Sequence, residues 1–197
     1  MFLFYDNYKM FEEQKKKALE RLRIRGADEE VAEIIGVLNR LDNFYTTSSC
    51  SGRVALICIP EIGAKREAEF IGKWHRAVTK EEVSEAIKTP KKGEIWLISQ
   101  SPILHVSCRG LEKAKTLLRI AIESGFKYSG IKAISKDNGK VMVEIMSTER
   151  MDVPLGKDNE IFCSETYMAY IVQKANFMLT RGKAKLKRFY YGLEGLE

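Results

Sequence analysis

The run Tyr45-Thr46-Thr47-Ser48-Ser49-Cys50-Ser51-Gly52-Arg53-Val54-Ala55-Leu56-Ile57-Cys58-Ile59 decides the fold class. Its second half is continuously apolar and rich in Val and Ile, the pattern of a strand buried on both faces. Pro60 and Gly63 stop it. No G-x-G-x-x-G follows a strand to open a helix, and G-x-x-x-x-G-K-[ST] occurs nowhere. The usual dinucleotide loop and the P-loop are therefore both missing, which argues against a Rossmann-like sheet. The first half, residues 46–53, is small and polar and ends in Arg53. Small hydroxyl residues and glycine let backbone N–H groups approach a ligand closely, and Arg53 adds a planar cationic fork for phosphate or carboxylate. Strand parity puts Thr47, Ser49, Ser51 and Arg53 on one face, with Ser48, Cys50 and Gly52 on the other. By composition the same run also reads as an ordinary loop before a strand.

Upstream, residues 9–25 read as a charged helix with an apolar stripe of Phe11, Ala18, Leu19, Leu22 and Ile24, ended by Gly26. Asp28 is a candidate N-cap for a second helix reaching about residue 42. Downstream, residues 69–77 form a strand. Thr79 and Glu82 are spaced as a capping box that opens a helix to about residue 88, with Pro90 and Gly93 after it. Strands at 94–99 and 103–108 flank the turn at Ser101-Pro102. Residues 111–124 keep helical apolar spacing, with Gly125 at the C′ position. Residues 131–135 and 141–146 form a hairpin about Asp137-Asn138-Gly139. A short strand at 160–163 follows Pro154 and Gly156, and a helix covers about 165–193, with a break expected near Gly182.

The expected fold is α+β and not Rossmann-like. It has a mixed sheet with an internal duplication of a strand-strand-helix unit, suggested by Cys50-Ser51-Gly52-Arg53-Val54 and Tyr128-Ser129-Gly130-Ile131. The 197 residues are read as a single domain: N-terminal helices at 1–42, an α+β core at 43–164 and a basic C-terminal helix at 165–197.

Net charge is +6, which fits an anionic partner without requiring one. The four cysteines, Cys50, Cys58, Cys108 and Cys163, form no C-x-x-C pair, so neither zinc nor a disulfide framework is expected. Such scatter suits a reducing cytoplasm. No signal-peptide pattern and no membrane-spanning apolar stretch is read.

The two histidines, His75 and His105, are candidates for proton transfer near neutral pH. Each also reads as a hydrogen-bonded strand residue. Cys50 and Cys108 are read mainly as small packing residues. From Lys174 to Tyr191 no acidic residue interrupts a helix that carries Arg181, Lys183, Lys185, Lys187, Arg188, Phe189 and Tyr190. Cations interleaved with aromatics suit phosphates and bases, or form a solvated face with aromatics turned inward. The N-terminal helix, where Lys and Arg mix with Glu, is the weaker candidate.

Several of these segments, in order, resemble the wybutosine-synthesising tRNA methyltransferases, archaeal type. They are residues 45–53, Trp74-His75, Pro102-Ile103-Leu104-His105-Val106-Ser107-Cys108-Arg109, Ser124-Gly125-Phe126-Lys127-Tyr128-Ser129-Gly130, Val153-Pro154-Leu155 and Arg188-Phe189-Tyr190. One departure is Ser101, where the family often carries Glu. The resemblance implies an S-adenosylmethionine-dependent enzyme. It would methylate a ring nitrogen of a tricyclic, guanosine-derived base beside the anticodon of tRNA-Phe, on its 3′ side.

On that footing His75 is the first candidate for handling the ring proton and His105 the second, with Ser49 beside them as a catalytic candidate. Ser51, Gly52, Arg53 and Ser107 are candidates for the cofactor. Arg109, Ser129, Lys183, Lys187 and Arg188 are candidates for the tRNA-Phe anticodon stem-loop. The expected protein is monomeric, without metal or membrane. The alternatives are a non-catalytic RNA-binding protein using the basic helix, and a small-molecule enzyme with Cys50 as nucleophile.

Overall fold

The computed structural model describes residues 2–61, 63, 66–89, 92–136 and 139–196, with side chains from residue 8 onward. Its elements are α1 (Phe2–Arg25), α2 (Glu29–Arg40), β1 (Phe44–Cys50), β2 (Arg53–Ile59), β3 (Glu69–Trp74), α3 (Lys80–Ile87), β4 (Glu94–Gln100), β5 (Ile103–Arg109), α4 (Leu111–Glu123), β6 (Gly130–Ile134), β7 (Lys140–Met146), β8 (Met151–Lys157), β9 (Glu160–Ile161) and α5 (Glu165–Leu193).

The strands make two sheets, ordered β1-β5-β7-β6 and β3-β2-β4-β8-β9. The α+β, non-Rossmann class holds. Every described pair is antiparallel, so the expected mixed strand pairing is corrected to two antiparallel sheets. A parallel pair needs a long crossover, whereas β2–β3, β6–β7 and β8–β9 are chain neighbours that pair as hairpins. The strand-strand-helix order holds for β2, β3 and α3, but four strands, not two, lie between Gly130 and α5.

By internal packing the chain divides into two compact units, each assembled from separate segments. Unit 1 is Met1–Ser51, Pro102–Thr148 and Ala184–Glu197; unit 2 is Gly52–Ser101 and Glu149–Lys183. The sequence-drawn boundaries near residues 43 and 165 do not coincide with these.

In unit 1, alternation along the strands sorts the two faces of the sheet. Leu104, Val106 and Cys108 of β5 and Val141, Val143 and Ile145 of β7 enter a core with Val31, Ile34, Ile35 and Leu38 of α2. Ala114, Leu117 and Ala121 of α4, together with Phe126, Leu186 and Phe189, complete it. His105 and Glu144 alternate to the opposite face. Gly125, at φ +100°, ends α4, and the Phe126 N–H donates to the Ala121 carbonyl as a helix C-terminal motif requires. Of the predicted hairpin tip, Asp137 and Asn138 lie outside the described residues; Gly139 has φ +62°.

In unit 2, Val54 and Leu56 of β2 and Ile95 and Leu97 of β4 pack with Leu155, Val83 of α3, and Met168, Ile171, Val172, Ala175 and Leu179 of α5. The capping box at α3 forms as expected: Thr79 accepts from the Glu82 N–H, and Glu82 accepts from the Thr79 N–H. Pro154 and Gly156, after which a short strand is expected, themselves lie within β8. A register shift between Ile95 and Trp96 accommodates Pro154, and the Asp158-Asn159 turn, both residues at positive φ, folds β9 back. The helix α5 runs unbroken through Gly182.

Candidate functional site

On unit 1, three strands bring Ser48, His105 and Glu144 into one cross-strand row: Ser48 is the partner of His105, and His105 of Glu144. Ser48 Oγ lies 2.9 Å from His105 Nδ1. His105 Nε2 lies 3.0 Å from Glu144 Oε2. The other carboxylate oxygen pairs with Lys132 Nζ at 2.6 Å. Burial pushes the Glu144 carboxyl upward, but Lys132 and then His105 outweigh it and hold the group below the ordinary carboxylate value. In the neutral imidazole, an ionised Glu144 that accepts from Nε2–H leaves the lone pair on Nδ1, facing the Ser48 hydroxyl. The result is a hydroxyl–imidazole–carboxylate relay with its hydroxyl exposed.

Ser48 reaches this row because β1 bulges between Thr46 and Ser48. The extra residue, Thr47, donates its hydroxyl to the His105 carbonyl at 3.3 Å. Ser49 instead stands opposite Leu104. The predicted face of Thr47, Ser49, Ser51 and Arg53 therefore does not form. The bulge shifts the phase, Gly52 turns at φ +92°, and Arg53 enters the other sheet. Residues 46–50 are strand rather than loop.

Ser48 also borders a cleft of about 330 Å³ on unit 1. Its walls are Ala18, Arg21, Leu22, Arg25 and Gly26 of α1 and its C-terminal turn, facing Thr46, Thr47, Ser48 and Ser49 of the edge strand β1. Beside it, the Ser51 N–H donates to Asp28 Oδ2 at 2.7 Å. Asp28 thus precedes α2 without capping it through its side chain.

The remaining candidates are dispersed. Ser107 is completely buried. Arg109 is committed to packing: its guanidinium lies 4.0 Å from the Tyr8 ring centroid and 4.6 Å from that of Phe11, pairs with Glu12, and donates to the Asp42 carbonyl. Ser129 donates to the Phe126 carbonyl at 2.6 Å. Arg188 Nε donates to the Ser124 carbonyl, and Lys187 is exposed on α5. On unit 2, Lys183 donates to the backbone carbonyl of His75, which follows β3. Arg53 Nε donates to Gln100 Oε1 at 2.8 Å, and the guanidinium lies over Phe70 at 5.0 Å.

Sequence reasoning missed Glu144 and Lys132, held Ser48 only as part of the polar run at 46–53, and held Arg21 and Arg25 only on the weaker N-terminal helix. Glu144 left a faint signal, a carboxylate embedded in the apolar strand Val141-Met142-Val143-Glu144-Ile145. Nothing local marked Lys132.

The geometry describes a non-Rossmann α+β protein with an exposed, hydrogen-bonded Ser48–His105–Glu144 row beside a cationic cleft. The family model for the methyltransferase TYW3 matches residues 9–195, and the chain belongs to that family. A relative from Thermococcus kodakarensis is 46% identical over 100% of this chain and 99% of its own length. It is named tRNA(Phe) 7-((3-amino-3-carboxypropyl)-4-demethylwyosine(37)-N(4))-methyltransferase 1. A relative from Methanocaldococcus jannaschii, named for the same activity, is 40% identical over 95% of this chain and 98% of its own. A solved structure from Pyrococcus horikoshii superposes with a TM-score of 0.88 at 46% identity, covering 97% of this chain and 98% of that one. Among the described residues no helix is long and apolar enough to cross a membrane.

Proposed function

We propose that this protein transfers a methyl group from S-adenosylmethionine to ring nitrogen N4 of a demethylated wyosine-type base. The base lies on the 3′ side of the anticodon of tRNA-Phe, and the protein acts as a cytoplasmic monomer. The observation that carries the reading is the Ser48–His105–Glu144 relay. A ring nitrogen that accepts a methyl group must lose its proton. Ser48 takes that proton while passing its own to His105 Nδ1. The imidazolium so formed is stabilised by Glu144, and Lys132 keeps Glu144 ionised. A base in a single-stranded loop can enter such a site without opening a duplex.

Among the cofactor candidates, Arg53 has the chemistry to hold the amino-acid end of the cofactor. Arg53 is pinned by Gln100 through Nε and stacked on Phe70, which leaves its terminal amino groups for a carboxylate. Arg53 would hold the amino-acid carboxylate of S-adenosylmethionine, with Ser51 and Gly52 alongside it in the chain. When bound, the cofactor supplies an electrophilic sulfonium methyl.

The test is nucleoside mass spectrometry of hypomodified tRNA-Phe after incubation with protein and S-adenosylmethionine. Gain of one methyl on the tricyclic base supports the reading. Binding of RNA without methyl transfer refutes it in favour of a non-catalytic RNA-binding module.

A further inference from the structure

The N-terminal helix holds the part of the cleft that the relay does not explain. Arg21 and Arg25 stand four residues apart on α1, so they lie on one helical face about 6 Å apart along the axis. Both are exposed. No acidic side chain among the described residues is ion-paired with either, whereas their neighbour Arg23 is paired with Glu20 at 2.9 Å. Lys17, one further turn back on the same face, is likewise exposed and has no ion pair among the described residues. Facing the two arginines across the cleft are the four hydroxyl residues Thr46, Thr47, Ser48 and Ser49. A row of two guanidinium forks, extended by an ammonium one turn back, suits oxyanions. A lone carboxylate could occupy only one fork. A chain of phosphodiesters matches the whole row.

We propose that Arg21 and Arg25 bind consecutive phosphodiesters of the single-stranded RNA that carries the target base, with Lys17 extending the track. Ser48 belongs both to the cleft and to the relay, so an RNA backbone held by the arginines presents its nucleotide to the group that removes the proton. The assignment rests on the methyltransferase reading for its substrate. Its evidence, the cation row and the cleft, is independent of the relay.

The experiment measures binding of an anticodon stem-loop RNA across a salt series for the wild type, for Arg21→Gln/Arg25→Gln, for Arg21→Lys/Arg25→Lys, and for Lys16→Gln, an exposed lysine off the row. Each phosphate contact to single-stranded RNA contributes about 0.7 to the slope of log affinity against log salt. The glutamine pair is expected to flatten that slope by roughly 1.4 and to raise KM for RNA about tenfold. KM for S-adenosylmethionine and kcat at saturating RNA should stay within about twofold. The lysine pair keeps the charges and should restore the slope, and Lys16→Gln should leave it unchanged. Circular dichroism confirms that the variants fold. An unchanged slope and RNA affinity in the glutamine pair overturns the assignment. So does a loss that appears as a raised KM for S-adenosylmethionine. A wild-type protein that binds RNA with the expected slope but never methylates it refutes the transferase reading and leaves the arginine assignment standing.

Discussion

Ser48 and His105, 57 residues apart in sequence, meet across β1 and β5 with Oγ 2.9 Å from Nδ1. Because Ser48 is exposed, Ser48→Ala removes the hydroxyl without opening the core. A loss of about 10- to 100-fold in kcat is expected, with stability changed by no more than about 1 kcal/mol. Single-turnover methylation and thermal unfolding of one preparation check both parts. A large fall in stability with unchanged kcat goes against the assigned role.

Glu144 links the site to acid stability. Its folded-state value is depressed, so the stability it contributes is present in full above the ordinary carboxylate range, about 4.3. That stability is lost as pH falls through the lower folded-state value. Glu144→Gln, which cannot ionise, should flatten the dependence of Tm on pH between about 5 and 3. An acid limb as steep as that of the wild type contradicts this linkage.

Arg109 is placed to hold α1 against its unit rather than to touch RNA. Its guanidinium is sandwiched by Tyr8 and Phe11 and tied to Glu12 and the Asp42 carbonyl. Arg109→Ala is expected to cost about 2 kcal/mol of stability. At a temperature where the variant is folded, the salt slope of RNA binding should remain that of the wild type. A flattened slope with unchanged Tm restores the RNA-contact reading.

Gly156 sits where a Cβ would come 1.9 Å from the Glu160 carbonyl oxygen. Gly156→Ala must therefore displace backbone in the β8–β9 turn. It should lower stability by about 2–3 kcal/mol in denaturant unfolding. A midpoint equal to that of the wild type means the turn relaxes freely.

Cys108 is a packing residue. Burial pushes its thiol up to about 12, so the thiolate is essentially absent at neutral pH. Iodoacetamide applied to the native protein should spare Cys108, with mass spectrometry of tryptic peptides as the readout. Rapid native alkylation there goes against that burial.

What the sequence revealed and what it hid divide by the range of the interaction. The Thr79–Glu82 capping box and the Gly125 stop are set by neighbours a few residues away, and both read correctly. Alternation in β5 placed His105 opposite Leu104 and Val106, as found. The β1 bulge is different, because it is imposed by pairing with a strand more than fifty residues away. Parity assumed an unbroken strand and so chose Ser49 over Ser48. The strand β8 escaped the sequence reading for a related reason: Pro154 is accommodated by a bulge at Leu155 of β8 itself, set by pairing with β4. The basic tail was only partly what it seemed. Lys185 is buried, while Lys183 and Arg188 donate to backbone carbonyls. Arg21 and Arg25, on the helix ranked lower, line the cleft instead.

The central claim is that His105 receives the ring proton through Ser48. The direct measurement is the rate of methyl gain on the tricyclic base of tRNA-Phe by nucleoside mass spectrometry, for wild type, His105→Ala and His75→Ala at saturating RNA and S-adenosylmethionine. His105→Ala is expected to lower kcat by about 10²- to 10⁴-fold, with His75→Ala lowering it less. A His105→Ala protein that methylates at the wild-type rate contradicts the account.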